Sequence, residues 1–116
     1  MKILVINTGS SSIKYELFDV DNHKILAGGM AEKIGEESGI LTHKRILPNG
    51  ESSEEVEEGL ISDHHEGLNR IVALLVDPVN GVIADKGEIS AIGHRVVHGG
   101  EAVSYTHLTL PTIYSV

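Results

Sequence analysis

Near its start the chain runs without a break from an apolar stretch into a glycine-serine turn and on into an alternating stretch. These are Ile3-Leu4-Val5-Ile6, then Asn7-Thr8-Gly9-Ser10-Ser11-Ser12, then Ile13-Lys14-Tyr15-Glu16-Leu17. A continuous apolar run closed by turn residues reads as a strand covered on both faces. Alternation of apolar and polar residues is the period of a half-buried strand. Lys2–Ile6 and Ile13–Leu17 are therefore expected to pair as a hairpin around the Gly/Ser turn.

The remaining pattern builds on that hairpin. Asp21-Asn22 supplies a turn, and Lys24–Ala31 continues as a third strand with a bulge expected at Gly28-Gly29. Ile40–Leu47 reads as a fourth strand ended by Pro48-Asn49-Gly50. Gly50–Gly59 carries five glutamates and reads as a solvated loop. From Asp63 the period changes: Leu68, Ile71, Val72 and Leu75 fall at i, i+3, i+4 and i+7, one face of an amphipathic helix. Asp63 with Glu66 forms a start resembling a capping box, and Asp77-Pro78 stops the helix. After a loop over Pro78–Glu88, Ile89–Val97 reads as a last strand. Hairpin strands followed by a helix and a further strand predict a mixed α/β sheet.

At 116 residues the chain suffices for one domain, and is short for the two-walled cleft of most ATP-dependent kinases. It holds three Tyr, one Phe and no Trp, so the core is built from aliphatic residues. The net charge of −8 and the lack of a Lys/Arg cluster argue against nucleic acid or an anionic membrane as partner. Without cysteine there are neither disulfides nor thiolate metal sites, in keeping with a cytoplasmic location. The first apolar run is too short for a signal peptide or a membrane span. Residues 103–116 contain no Asp, Glu, Lys or Arg and five Ser/Thr. We read them as a non-native tail, set apart from a domain over residues 1–102; a genuine uncharged β-prone strand is the alternative.

Two constellations carry chemistry. The turn Asn7–Ser12 brings a glycine, three serine hydroxyls and successive N–H groups to one place, an arrangement able to cradle phosphate oxygens. Lys14 lies on the same strand face as Ser12 and adds a point charge suited to phosphate. An ordinary polar hairpin with a surface lysine accounts for the same residues. The second constellation is Gly93-His94-Arg95-Val96-Val97-His98-Gly99-Gly100-Glu101. On a strand, Arg95 and Val97 share one face, a guanidinium beside a small apolar wall, suited to a short carboxylate. His94 and His98 would lie about 13 Å apart, too far to chelate one ion, and are read as structural. His64-His65 on a helix diverge by roughly 100°, which disfavours a metal site. His43 is read as a polar strand residue.

Val5–Tyr15 resembles the opening signature of the acetate kinases, and Gly93–Glu101 resembles that family's second signature. Two long motifs in order, joined by a spacer with the expected helix, cover residues 1 to about 102. The resemblance implies an α/β fold, the ribonuclease-H-like mixed sheet of the sugar kinase, heat-shock ATPase and actin superfamily, as an N-terminal half-domain only. It implies that Asn7 helps to hold Mg²⁺, that Ser10, Ser12 and Lys14 lie near the phosphates of ATP, and that Arg95 binds the acyl substrate or the transferring phosphoryl group. Val97 would wall a methyl pocket. The implied activity is reversible phosphoryl transfer from ATP to acetate, with propionate as the near alternative and a homodimer as the complete enzyme. The family's catalytic histidine, second arginine and adenine-binding segment are not among these residues, so this chain alone is expected to be inactive. A non-catalytic phosphate- or nucleotide-binding module is the competing reading.

Overall fold

The computed structural model describes residues 1–47, 49–78, 81–96 and 113–115, the side chains of 95, 96 and 113–115 excepted. Its strands are β1 (Lys2–Thr8), β2 (Ile13–Asp19), β3 (Lys24–Glu32), β4 (Gly39–Ile46), β5 (Ser52–Gly59), β6 (Ile89–Val96) and β7 (Ile113–Ser115). One helix, α1 (His64–Leu75), and a 3-10 turn (Lys86–Glu88) lie between β5 and β6. The strands form a single sheet in the order β5-β4-β3-β2-β1-β6-β7. Strands β1 to β5 make an antiparallel meander. β6 returns parallel to β1, and β7, from the stretch the composition set apart, lies parallel to β6.

A parallel return requires a long connection, and α1 provides it. Asp63, in extended conformation, caps the helix by accepting from the Glu66 N–H at 2.8 Å. The reciprocal arm differs from a full capping box: the Glu66 carboxylate accepts from the N–H of Ser62 at 2.8 Å and from the Ser62 hydroxyl. These bonds hold the Glu66 carboxyl below its ordinary range, the Ser62 hydroxyl being the main cause. Leu68, Ile71, Val72 and Leu75, the predicted stripe, are all buried. They pack on the inner face of the sheet, where Leu4 and Ile6 of β1, Ile13 and Leu17 of β2, and Ile89 and Ile92 of β6 are fully covered.

Two expectations are corrected. The glutamate-rich stretch is not a loop: Ser52–Gly59 is paired with β4 along its whole length. It is an edge strand, largely exposed, so neither face has to alternate, and its charges discourage pairing with another chain. The bulge of β3 falls at Leu26 rather than at Gly28-Gly29, because Leu17 pairs with Ala27 and Phe18 with Ile25. Gly29 has another use. It lies between Tyr15 and His43 in one row, and a Cβ there would come within 2.0 Å of Thr42 O and 2.7 Å of the Tyr15 hydroxyl. Its missing side chain lets the Tyr15 ring reach across β3. His43 is a strand residue of β4, as expected, and a buried one: it is 1% exposed, stacks on Tyr15 with ring centres 6.0 Å apart, and shares a hydrogen bond of 2.5 Å between its Nδ1 and the Tyr15 hydroxyl. Burial pushes the Tyr15 phenol well above its ordinary range.

Candidate phosphate-binding turn and substrate row

The register brings the two sequence motifs together. Asn7 on β1 pairs with Lys14 on β2 and, on its other side, with Arg95 on β6. Residues paired directly across neighbouring strands belong to one face, so Lys14, Asn7 and position 95 form a single row. Leu4, Ile6 and Thr8 of β1 are buried beneath α1, which places the Asn7 row on the opposite face. Asn7 is half-buried and Lys14 exposed. The turn carrying Ser10 and Ser12 leaves the sheet immediately beyond this row. Val97 and His98 lie outside the described residues.

The turn is held largely through its carbonyls. Gly9 N–H donates to Ser12 O at 2.9 Å, closing it internally. Ser11 O accepts from the N–H of Ile34 at 3.0 Å, a residue presented by Lys33 in the left-handed region at φ 56°. Gly9 O lies 2.6 Å from Nε2 of His64, at the start of α1. A carbonyl can only accept, so Nε2 carries the proton and donates. Ser10 and Ser11 are exposed and Ser12 is half-buried, while the carbonyls of Gly9 and Ser11 are held by other parts of the protein.

The histidines thus divide by role. His94, 6% exposed, stands 3.3 Å from the Thr8 hydroxyl through Nε2 on the helix-side face, a structural position as expected. Burial lowers its pKa, which favours the neutral ring. His64 is also buried, and sequence reasoning had no signal for its contact with a turn 55 residues away. Among the described residues no group of three His, Asp or Glu side chains converges as a metal site. A groove of about 480 Å³ crosses the outer face of the meander, lined in part by Lys14, Glu16, Thr42, Lys44 and Glu54. Among the described residues it takes in Lys14 but neither Asn7 nor the serines, so it adjoins the site at Lys14 and extends away from it over the meander.

A hairpin beside a parallel strand, backed by a helix on one face, defines part of an actin- and ATPase-like α/β domain. Solved structures agree. An acetate kinase from Porphyromonas gingivalis superposes with a TM-score of 0.72 at 40% identity, over 84% of this chain and 24% of that one. A propionate kinase from Francisella tularensis gives 0.66 at 30% identity, over 85% of this chain and 23% of the other. The acetokinase family profile matches residues 2–114, and the acetate kinase of Desulfovibrio desulfuricans is 52% identical over 105 residues, 90% of this chain and 26% of the relative. The chain belongs to the acetokinase family. It spans about a quarter of the length of the curated relatives it matches.

Proposed function

We propose that these residues form the phosphate- and acyl-binding wall of an acetate kinase. The observation that carries this is the register row of Lys14, Asn7 and Arg95 beside a turn held by its carbonyls, in a chain of the acetokinase family. In the forward reaction an acetate oxygen attacks the γ-phosphorus of ATP, the new P–O bond forms as the bond to the β-phosphate oxygen breaks, and ADP leaves with the electron pair. Such a transfer asks little covalent help of the protein; alignment and charge stabilisation do the work. Ser10, Ser12 and Lys14 bind and orient the phosphates. Arg95 holds the acyl carboxylate or the transferring phosphoryl group, and Val97 walls the methyl pocket. Residues elsewhere in the complete enzyme supply the opposite wall.

The chain also fits Mg²⁺. Asn7, half-buried in the row, offers a neutral amide oxygen, the kind of hard ligand Mg²⁺ takes alongside waters and substrate phosphates rather than a cage of carboxylates. Bound there with ATP, Mg²⁺ supplies neutralisation of phosphate charge. We take acetate rather than propionate as the substrate, since the curated relative at 52% identity is an acetate kinase. One methylene is worth only about 1–3 kcal/mol of discrimination, so both acids are assayed. We place the complete enzyme in the cytoplasm as a homodimer, and no described helix is long and apolar enough to cross a membrane. We also propose a boundary at residue 102. Genomic sequence downstream of codon 102 tests it, and a native frame encoding residues 103–116 overturns it.

The test of function is hydroxamate trapping of acetyl phosphate with the complete kinase that contains this segment. Arg95→Ala should lower turnover by roughly 10³-fold, and Arg95→Lys should be nearly as damaging, since a point charge lacks the bidentate fork. The 116-residue chain alone should give no acetyl phosphate. Turnover by that chain, abolished by Arg95→Ala, would refute the one-wall reading.

A further inference from the structure

We infer that His64 is a positioning residue for the phosphate-binding turn: by holding the Gly9 carbonyl from the helix side, it aims the Ser10 N–H at the phosphate. This rests on the proposed phosphate-binding role of the turn and adds a residue to it. The physical argument starts from the peptide group. The Gly9 carbonyl and the Ser10 N–H belong to one planar unit, and in a trans peptide they point in opposite directions. No described peptide bond is cis. Gly9 O is drawn to Nε2 of His64 at 2.6 Å, on the side of the sheet where α1 packs. The Ser10 N–H is therefore turned away from α1, towards the face that carries Asn7 and Lys14.

A second carbonyl of the turn is anchored as well. Ser11 O accepts from Ile34 N–H at 3.0 Å, and Ile34 is buried against α1, its Cδ1 within 3.6 Å of the Cβ position at Gly67. This ties the turn to the segment that follows β3 and fixes it next to the His64 contact. The Ser10 N–H so oriented, with the Lys14 ammonium on the same face, offers a donor and a charge to one anion. Ile34 acts through its backbone, which mutation cannot easily remove. His64 acts through its side chain, and is the holder that can be changed. His64 is 5% exposed and reaches the turn from the first residue of a helix whose cap is already provided by Asp63. Helix capping does not call for the contact; turn geometry does.

The experiment is steady-state kinetics of the complete kinase with H64Q, H64N and H64L, together with thermal midpoints. Gln places an N–H donor near the position of Nε2, whereas Asn ends one carbon short and Leu has no donor. H64L and H64N should raise KM for ATP roughly tenfold, the size of one lost hydrogen bond that aligns substrate, with KM for acetate changed less than about twofold. H64Q should recover most of the ATP KM even if its melting midpoint is as low as that of H64N. An ATP KM for H64N equal to wild type, or one for H64Q as high as that of H64N, overturns the inference; should H64L not fold, the Gln/Asn contrast decides alone. Lys14→Ala is measured in parallel. If it raises KM for ATP while H64N does not, positioning by His64 fails and the phosphate-binding reading stands. If Lys14→Ala also leaves KM unchanged, the reading of the turn itself fails.

Discussion

Two hairpin turns of this sheet are built on different plans. The turn between β4 and β5 holds itself: Leu47 N–H donates to Glu51 O at 2.7 Å, Gly50 N–H to Leu47 O at 2.9 Å, and Glu51 N–H to the Asn49 side-chain oxygen at 2.9 Å. Gly50 supplies the left-handed residue, φ 89°, that closes it. The turn between β1 and β2 has one internal bond and is otherwise held by His64 and Ile34 from outside. A self-sufficient turn spends its polar groups on itself. A turn held from outside keeps hydroxyls and N–H groups for something else, which is why the first is a connection and the second a candidate site. The same division runs through the sheet, from strands covered by α1 to the open edge at β5.

The largest expected effect separates the covered strands from the edge. Gly29→Ala sets a methyl group 2.0 Å from the backbone oxygen of Thr42, and a backbone atom cannot swing aside, so the loss should be about 3 kcal/mol or more. Gly59→Ala on the edge strand meets nothing within 4 Å and should stay within about 0.5 kcal/mol of wild type. Urea midpoints of the two variants check this; equal losses would erase the distinction. Next in size is Tyr15→Phe, which removes the hydroxyl paired with His43 Nδ1 at 2.5 Å. Stability should fall by about 1–2 kcal/mol with no change in ATP binding by the complete enzyme, read by isothermal titration. Gly50→Ala follows, at about 1 kcal/mol for an alanine forced into left-handed backbone. Its phosphate kinetics should be untouched, unlike those of the His64 variants, and a raised KM for ATP would show that the two turns are not independent.

What could be read from the residues follows from where periodicity is expressed. The hairpin and the helix were legible because a covered face imposes its period: Ile13, Tyr15 and Leu17 alternate inward, and Leu68, Ile71 and Leu75 keep helical spacing. The pairing of Asn7 with Lys14 follows from hairpin register. That of Asn7 with Arg95 does not, because a parallel return leaves register open until the crossover packs. Edge strand β5 was missed because largely exposed strands carry no obligatory alternation. The burial of His43 was not legible because it depends on the absent side chain of Gly29, its direct partner on β3. The hold of His64 on Gly9 is long-range and pairwise, and no window of sequence contains both partners.

The smallest expected effect tests whether the covered half also responds to pH where the edge does not. His94 is buried beside the Thr8 hydroxyl, and burial lowers its pKa from 6.5. In the unfolded chain the ring takes up a proton as pH falls through its ordinary pKa, while in the folded protein it stays neutral to lower pH. Between those two values the unfolded state binds more protons, so stability rises with pH. This contribution is complete above about pH 6.5 and is lost on acidification from there down to the lowered folded value. His94→Gln keeps a polar group near Thr8 but cannot titrate. Urea midpoints measured from pH 7.5 to pH 5 should therefore fall more steeply for the wild-type chain than for His94→Gln, with the two curves parallel above pH 7. The window lies above the range in which Glu66 and Glu88 titrate, since both are held below their ordinary values by hydrogen bonds, from Ser62 and from the Ala84 N–H respectively. Parallel curves throughout would mean that His94 is solvated enough to titrate normally, and that the face beneath α1 is less closed at the β1–β6 junction than its burial implies.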